Sequence, residues 1–119
     1  MPDEKNGQPQ TSPSVASRAR IQVPYVEVAQ FARRNHIRKL SLFGSVLRDD
    51  FRPESDIDVL VEFHPEHIPG FITLAGMEHQ LSDILGGRKI DMNTPKSLSI
   101  HFRDEVLDEA EVIYDEGQD

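Results

Sequence analysis

Hydrophobic positions along the chain recur with two different periods, and the switching between them outlines a domain of alternating helices and strands. Tyr25, Val28, Ala29 and Ala32 fall at the spacing of one helix face, predicting a helix that runs to about His36. Pro24 can open it, because the first helical turn does not need the missing N–H. Arg33 and Arg34 lie near its end, where positive charge is favoured. Residues 39–43 change to a period of two, with Leu40 and Leu42 alternating against Ser41, and read as a strand broken by Gly44-Ser45. A polar connector over residues 46–55 contains Pro53. Residues 56–63 (DIDVLVEF) then give the strongest strand, with Ile57, Val59, Val61 and Phe63 on one face. Leu74, Met77, Leu81, Ile84 and Leu85 return to helical spacing and stop at Gly86-Gly87, a natural C-terminal cap. Residues 89–93 read as a third strand, Phe102, Val106, Leu107 and Ala110 as a last helix, and residues 112–114 as a short final strand. The predicted order, α-β-β-α-β-α-β, is an α/β (α+β) fold with a sheet of three to four strands.

Composition limits what surrounds this unit. Residues 1–20 are rich in Pro, Gln and Ser with almost no apolar side chains. Burial cannot offset the ordering entropy of such a segment, so a disordered N-terminal tail is expected, followed by one domain over 21–119. A length of 119 residues suits a single core. No run approaches the ~18 apolar residues of a membrane span, no apolar signal core opens the chain, and the absence of cysteine excludes disulfides and thiolate sites. A cytoplasmic protein is expected. The net charge of −8 argues against direct nucleic-acid binding, which needs clustered Lys and Arg. Yet residues 1–52 carry a net +4 (nine basic, five acidic) and residues 53–119 a net −12 (four basic, sixteen acidic), which suggests a basic and an acidic face.

One constellation carries chemistry. Gly44-Ser45 ends a predicted strand, and ten residues later Asp56 and Asp58 head the next, as G-S-x10-D-x-D. Residues i and i+2 of a strand share a face, so the two carboxylates stand side by side while Ile57 and Val59 face the core. Adjacent carboxylates repel, and Mg²⁺ with its oxygen ligands is the usual solution. Asp91, on the third strand, points away from the face of Ile90 and Met92 and can join them. Three carboxylates suit a two-metal phosphoryl-transfer site, where the ions clamp the attacking and leaving oxygens. Gly44 offers a backbone that a phosphate can approach, Ser45 a hydroxyl and an N–H at the start of a helical turn, and Arg48 a cation on the same turn. Asp49, Asp50 and Glu54 are alternative surface partners for Arg48.

The segments Gly44-Ser45-Val46-Leu47-Arg48, Ser55 to Val61 (SDIDVLV), Leu85 to Met92 (LGGRKIDM) and Phe102 to Leu107 (FRDEVL) together resemble the minimal nucleotidyltransferases of the DNA polymerase β-like superfamily. The resemblance covers about residues 24–116. Asp49 stands where many relatives have Gly. The resemblance implies a mixed sheet with helices mainly on one face, and transfer of a nucleoside monophosphate from an NTP to a hydroxyl with release of pyrophosphate. It implies metal binding by Asp56, Asp58 and Asp91, with Asp91 also helping to activate the acceptor. It also implies phosphate binding by Gly44, Ser45 and Arg48. Small members are similar to the antitoxins of HEPN/MNT toxin–antitoxin pairs, which are understood to adenylylate a tyrosine of a helical HEPN-domain toxin with ATP and Mg²⁺. The expected partner is therefore such a toxin, in a hetero-oligomer, with the acceptor site completed by it and no membrane involved. Two rivals stand beside this reading. One is a non-catalytic antitoxin that neutralises its toxin by binding. The other is a nucleotidyltransferase acting on a small hydroxylated molecule such as an aminoglycoside. His64 and His67 form an H-x-x-H in a loop, without further zinc ligands, and no zinc site is expected there.

Overall fold

Alternation along residues 57–63 decides the architecture. In the computed structural model, which describes residues 17–118, Ile57, Val59 and Val61 are fully buried. Their side chains line one face of a four-stranded sheet, and two helices cover it. In chain order the elements are α1 (Tyr25–Arg34), β1 (Ile37–Phe43), β2 (Ile57–Phe63), α2 (Phe71–Ile84), β3 (Ile90–Asn93), α3 (Arg103–Glu109) and β4 (Glu111–Asp115). The strands lie in the order β3-β2-β1-β4, with β1 antiparallel to both β2 and β4, and β2 parallel to β3. A parallel pair cannot be joined by a hairpin, and α2 supplies the crossover between β2 and β3.

The core joins Val28, Phe31 and Ala32 of α1 and Met77 and Leu81 of α2 to Leu40, Leu42, Ile57, Val59, Val61, Ile90, Met92 and Ile113 of the sheet. Helix α3 contributes no buried residue. At the edge strand β3 the Met92 N–H is not left open: Glu78 Oε2 on α2 accepts it at 2.9 Å. Helix α2 ends as its sequence indicates. Gly86 and Gly87 adopt φ +94° and +87°, a region that favours glycine, and the Gly87 N–H returns to the Ser82 carbonyl at 2.7 Å.

Boundaries shift by a few residues from those read in the sequence. Helix α1 stops at Arg34, short of His36, because the chain reverses there. Asn35 Nδ2 donates to the Phe31 carbonyl at 2.9 Å, and His36 takes φ +58°. Strand β1 consequently starts at Ile37, two residues before Lys39. Helix α2 starts at Phe71, three residues before Leu74. Phe71 and Ile72 are 92% and 90% exposed, so the spacing of core-facing residues could not report that first turn. Of the tail expected over residues 1–20, residues 1–16 lie outside the described residues. Ser17 to Arg20 have no regular structure but are hydrogen-bonded: the Arg18 N–H donates to Glu111 Oε1 at 2.7 Å, and the Arg20 N–H to the Val46 carbonyl at 2.8 Å. Among the described residues no helix is long and apolar enough to cross a membrane.

Burial ranks the contributions to stability. Leu42→Ala opens a cavity at a fully buried position, with an expected loss of roughly 2–5 kcal/mol. Phe71→Ala should stay within about 0.5 kcal/mol of the parent. Urea unfolding of both variants measures the contrast.

Candidate active site

Strand register assembles the motif. Phe43 pairs with Asp58 across β1 and β2, which places Gly44 immediately beside the Asp58 side chain. A Cβ built on Gly44 would lie 2.4 Å from Asp58 Oδ2, and Gly44 itself has φ +77°. Both the close approach and the backbone conformation demand glycine. On the other side, the parallel register pairs Ile57 with Ile90 and Asp58 with Asp91. Since Ile57 and Ile90 are buried under the helices, alternation sends Asp58 and Asp91 to the opposite face. Asp56 precedes β2 by one residue, and its Oδ2 lies 3.8 Å from Lys89 Nζ.

These carboxyls feel one another. The Asp58 carboxyl is pushed up to about 6, first by burial, then by the charges of Asp91 and Asp56 and a hydrogen bond with Asp91; Arg48 opposes the shift. Burial and like charge are the ordinary reasons that one of several neighbouring carboxyls holds its proton to higher pH.

Of the sequence-predicted phosphate residues, Gly44 and Ser45 open a 3-10 turn, Gly44–Leu47, directly after β1, and Arg48 follows its end. Val46 is fully buried and anchors the turn, and the Arg48 N–H closes it onto the Ser45 carbonyl at 2.8 Å. Arg48 does not pair with Asp49, Asp50 or Glu54. Its Nη2 lies 3.0 Å from both carboxylate oxygens of Glu109, at the end of α3, and Glu109 Oε1 also accepts the Gly44 N–H at 3.2 Å. Asp49 instead accepts from Arg20. The rest of the connector is held by Arg88, whose guanidinium lies 4.6 Å from the Phe51 ring centroid and donates to the carbonyls of Arg52 (2.9 Å) and Pro53 (3.1 Å).

Glu109 is the residue that the sequence did not announce. It sits 61 positions from Arg48, and only the docking of α3 beside the turn brings the two together. His64 and His67 go separate ways. His64 Nε2 meets Glu116 at 2.9 Å, while the His67 ring stacks on His36 with centroids 3.8 Å apart.

Among the described residues no three acidic or histidine side chains already converge as a metal cage. Asp58 and Asp91 are register neighbours, while Asp56 leans toward Lys89. The donor chemistry nevertheless fits a hard divalent cation. All three groups are carboxylates, the Gly44 backbone leaves Asp58 room that any side chain would fill, and mutual repulsion is the force that a cation relieves.

The mixed sheet brings the G-S turn, the D-x-D segment and a third Asp on the parallel neighbour to one end, the pattern by which the sequence resembles the nucleotidyltransferases. The family model described as "Polymerase beta, Nucleotidyltransferase" matches residues 27–119, and the chain belongs to that family. Among individual relatives, the protein adenylyltransferase MntA of Thermococcus cleftensis is 35% identical over 78 residues, spanning 66% of this chain and 74% of the relative. Two solved structures share the fold. One is a toxin–antitoxin with AMP-PNP (TM-score 0.64, 19% identity, 81% of this chain and 77% of the other). The second is the tri-AMPylated Shewanella oneidensis HEPN toxin in complex with MNT antitoxin (TM-score 0.57, 20% identity, 79% and 71%).

Two predictions follow from this geometry. Gly44→Ala should cost about 1–3 kcal/mol in thermal unfolding, because it combines a left-handed backbone with a collision against Asp58. The second concerns pH. Between its unfolded value near 3.8 and its folded value of about 6, the folded protein keeps an Asp58 proton that the unfolded chain releases. The stability linked to that proton is complete below pH ~4 and lost as pH rises through ~6. Asp58→Asn removes the dependence, so without divalent cations the melting temperature of the variant relative to the parent should be higher at pH 7.5 than at pH 4.

Proposed function

We propose that this nucleotidyltransferase transfers AMP from ATP to a hydroxyl of a HEPN-type partner toxin, a tyrosine hydroxyl, and thereby acts as its antitoxin. The observation that carries the reading is the register that sets Asp58 against Asp91 on one side and the Gly44 backbone on the other. The MntA relative supports adenylyl transfer to protein, the neighbour with AMP-PNP supports an adenine triphosphate, and the complex with a tri-AMPylated HEPN toxin supports the acceptor.

In this reading Asp56, Asp58 and Asp91 would hold Mg²⁺, as two ions. Bound there, the metal would neutralise charge developing on the phosphates and lower the proton affinity of the acceptor oxygen. The chain's own groups do the rest. Arg48, the Gly44 N–H and Ser45 bind the β- and γ-phosphates and orient the α-phosphorus. Asp91 accepts the acceptor proton as the hydroxyl oxygen bonds to the α-phosphorus. The bond from that phosphorus to the bridging oxygen breaks, and pyrophosphate leaves with its electron pair.

The test uses α-phosphate-labelled ATP, Mg²⁺ and the purified protein with its helical partner. Label should pass to the partner with the parent protein, and fall by about a hundredfold or more with Asp56→Asn/Asp58→Asn. A double variant that labels as well as the parent would sink the mechanism. Unlabelled partner in a stable complex, with full protection of cells by the double variant, would establish neutralisation by binding. Label appearing on an aminoglycoside in place of protein would establish the small-molecule acceptor.

A further inference from the structure

We infer that Glu109 is an internal anion seated on the phosphate-binding groups, and that the phosphates of an incoming nucleotide must displace it. The inference rests on the phosphate role proposed above for Gly44 and Arg48.

Two of the three groups proposed to bind phosphate here, Arg48 and the Gly44 N–H, are already occupied by a carboxylate. Glu109 contacts Arg48 Nη2 through both oxygens at 3.0 Å and accepts the Gly44 N–H at 3.2 Å. A guanidinium and a main-chain N–H are donors for which carboxylate and phosphate compete on equal geometric terms. A nucleotide cannot use both while Glu109 stays, and its phosphates would meet a fourth carboxylate beside Asp56, Asp58 and Asp91.

The contact is built to release at the side chain. The Glu109 backbone is pinned, because Arg18 Nη2 donates to its carbonyl at 2.7 Å, and the next residue but one, Glu111, accepts the Arg18 N–H at 2.7 Å. The side chains are freer, with Arg48 56% and Glu109 31% exposed. An ion pair this accessible to water is weak enough for a triphosphate to replace it by rotation of the Glu109 side chain, with α3 left in place. In the absence of nucleotide the same pair neutralises Arg48 and satisfies the Gly44 N–H. Glu109 thus sets the nucleotide affinity without touching the reacting atoms.

Titration calorimetry with ATP, inorganic tripolyphosphate and adenosine, each with Mg²⁺, separates the possibilities. The proteins compared are the parent, Glu109→Gln, Glu109→Ala and Arg48→Ala, with thermal unfolding checked for each. Removing the competing carboxylate should tighten ATP and tripolyphosphate about tenfold and leave adenosine unchanged. Equal ATP affinity in parent and Glu109 variants, with Arg48→Ala weakened, overturns the displaced anion and leaves the phosphate site standing. Weaker binding by the Glu109 variants overturns it too, by making Glu109 a binding residue. A gain for adenosine equal to that for tripolyphosphate identifies general loosening and also overturns it. If Arg48→Ala binds tripolyphosphate as the parent does, the phosphate reading itself falls, and the inference with it. Nothing here depends on the variants alone. In the unmutated protein the Glu109 carboxyl carbon signal should move on tripolyphosphate addition, and a stationary signal refutes displacement.

Discussion

The backbone of Gly44 lies against the carboxylate of Asp58, and the candidate site depends on that contact. It joins the end of β1 to the start of β2, so the turn that offers N–H groups and the strand that offers carboxylates meet at one point. The contact exists only because position 44 lacks a side chain and can adopt φ +77°. A Cβ there would collide with the Asp58 carboxylate and press it toward Asp91, its neighbour on the other side. One missing methyl group thus sets the spacing between the turn and the carboxylates of the candidate site.

What holds such a contact is the core on the opposite face. Strand β2 cannot slip by one residue without turning Asp56 and Asp58 into the space beneath α1 and α2 and exposing Ile57, Val59 and Val61. Burying two carboxylates there would cost far more than their mutual repulsion costs on the open face. The crossover through α2 extends the same logic to β3. Met77 and Leu81 seat the helix on the sheet, Gly86-Gly87 end it, and Ile90 and Met92 bury toward it, which leaves Asp91 no direction but outward beside Asp58. The apolar face is the reason the acidic face is reproducible.

This explains what could be read in the sequence and what could not. The elements and the placing of Asp58 beside Asp91 follow from period-two alternation, because a strand's inward and outward residues are fixed by one another. The Gly44 and Gly86-Gly87 breaks were legible because positive φ leaves few residue choices. Helix α2's first turn was hidden, since Phe71 and Ile72 are apolar yet exposed and so fall outside the buried stripe. The partner of Arg48 was hidden for another reason. Three acidic residues follow it closely in sequence, whereas the one it meets is set by tertiary docking of a short helix with no buried residue to advertise it.

Exposure divides labour within the acidic group. Asp58 is hemmed between Gly44 and Asp91 and has its carboxyl pushed up to about 6, a strain that a neighbouring cation would relieve. Asp91 lies on the edge strand and is exposed. On the proposed reaction, a proton taken from the acceptor hydroxyl must pass on to water before the next turnover. Asp91 stands open to water, whereas Asp58 is partly buried. Position in the sheet, edge strand against central strand, is thus what favours Asp91 for the proton-accepting role proposed above.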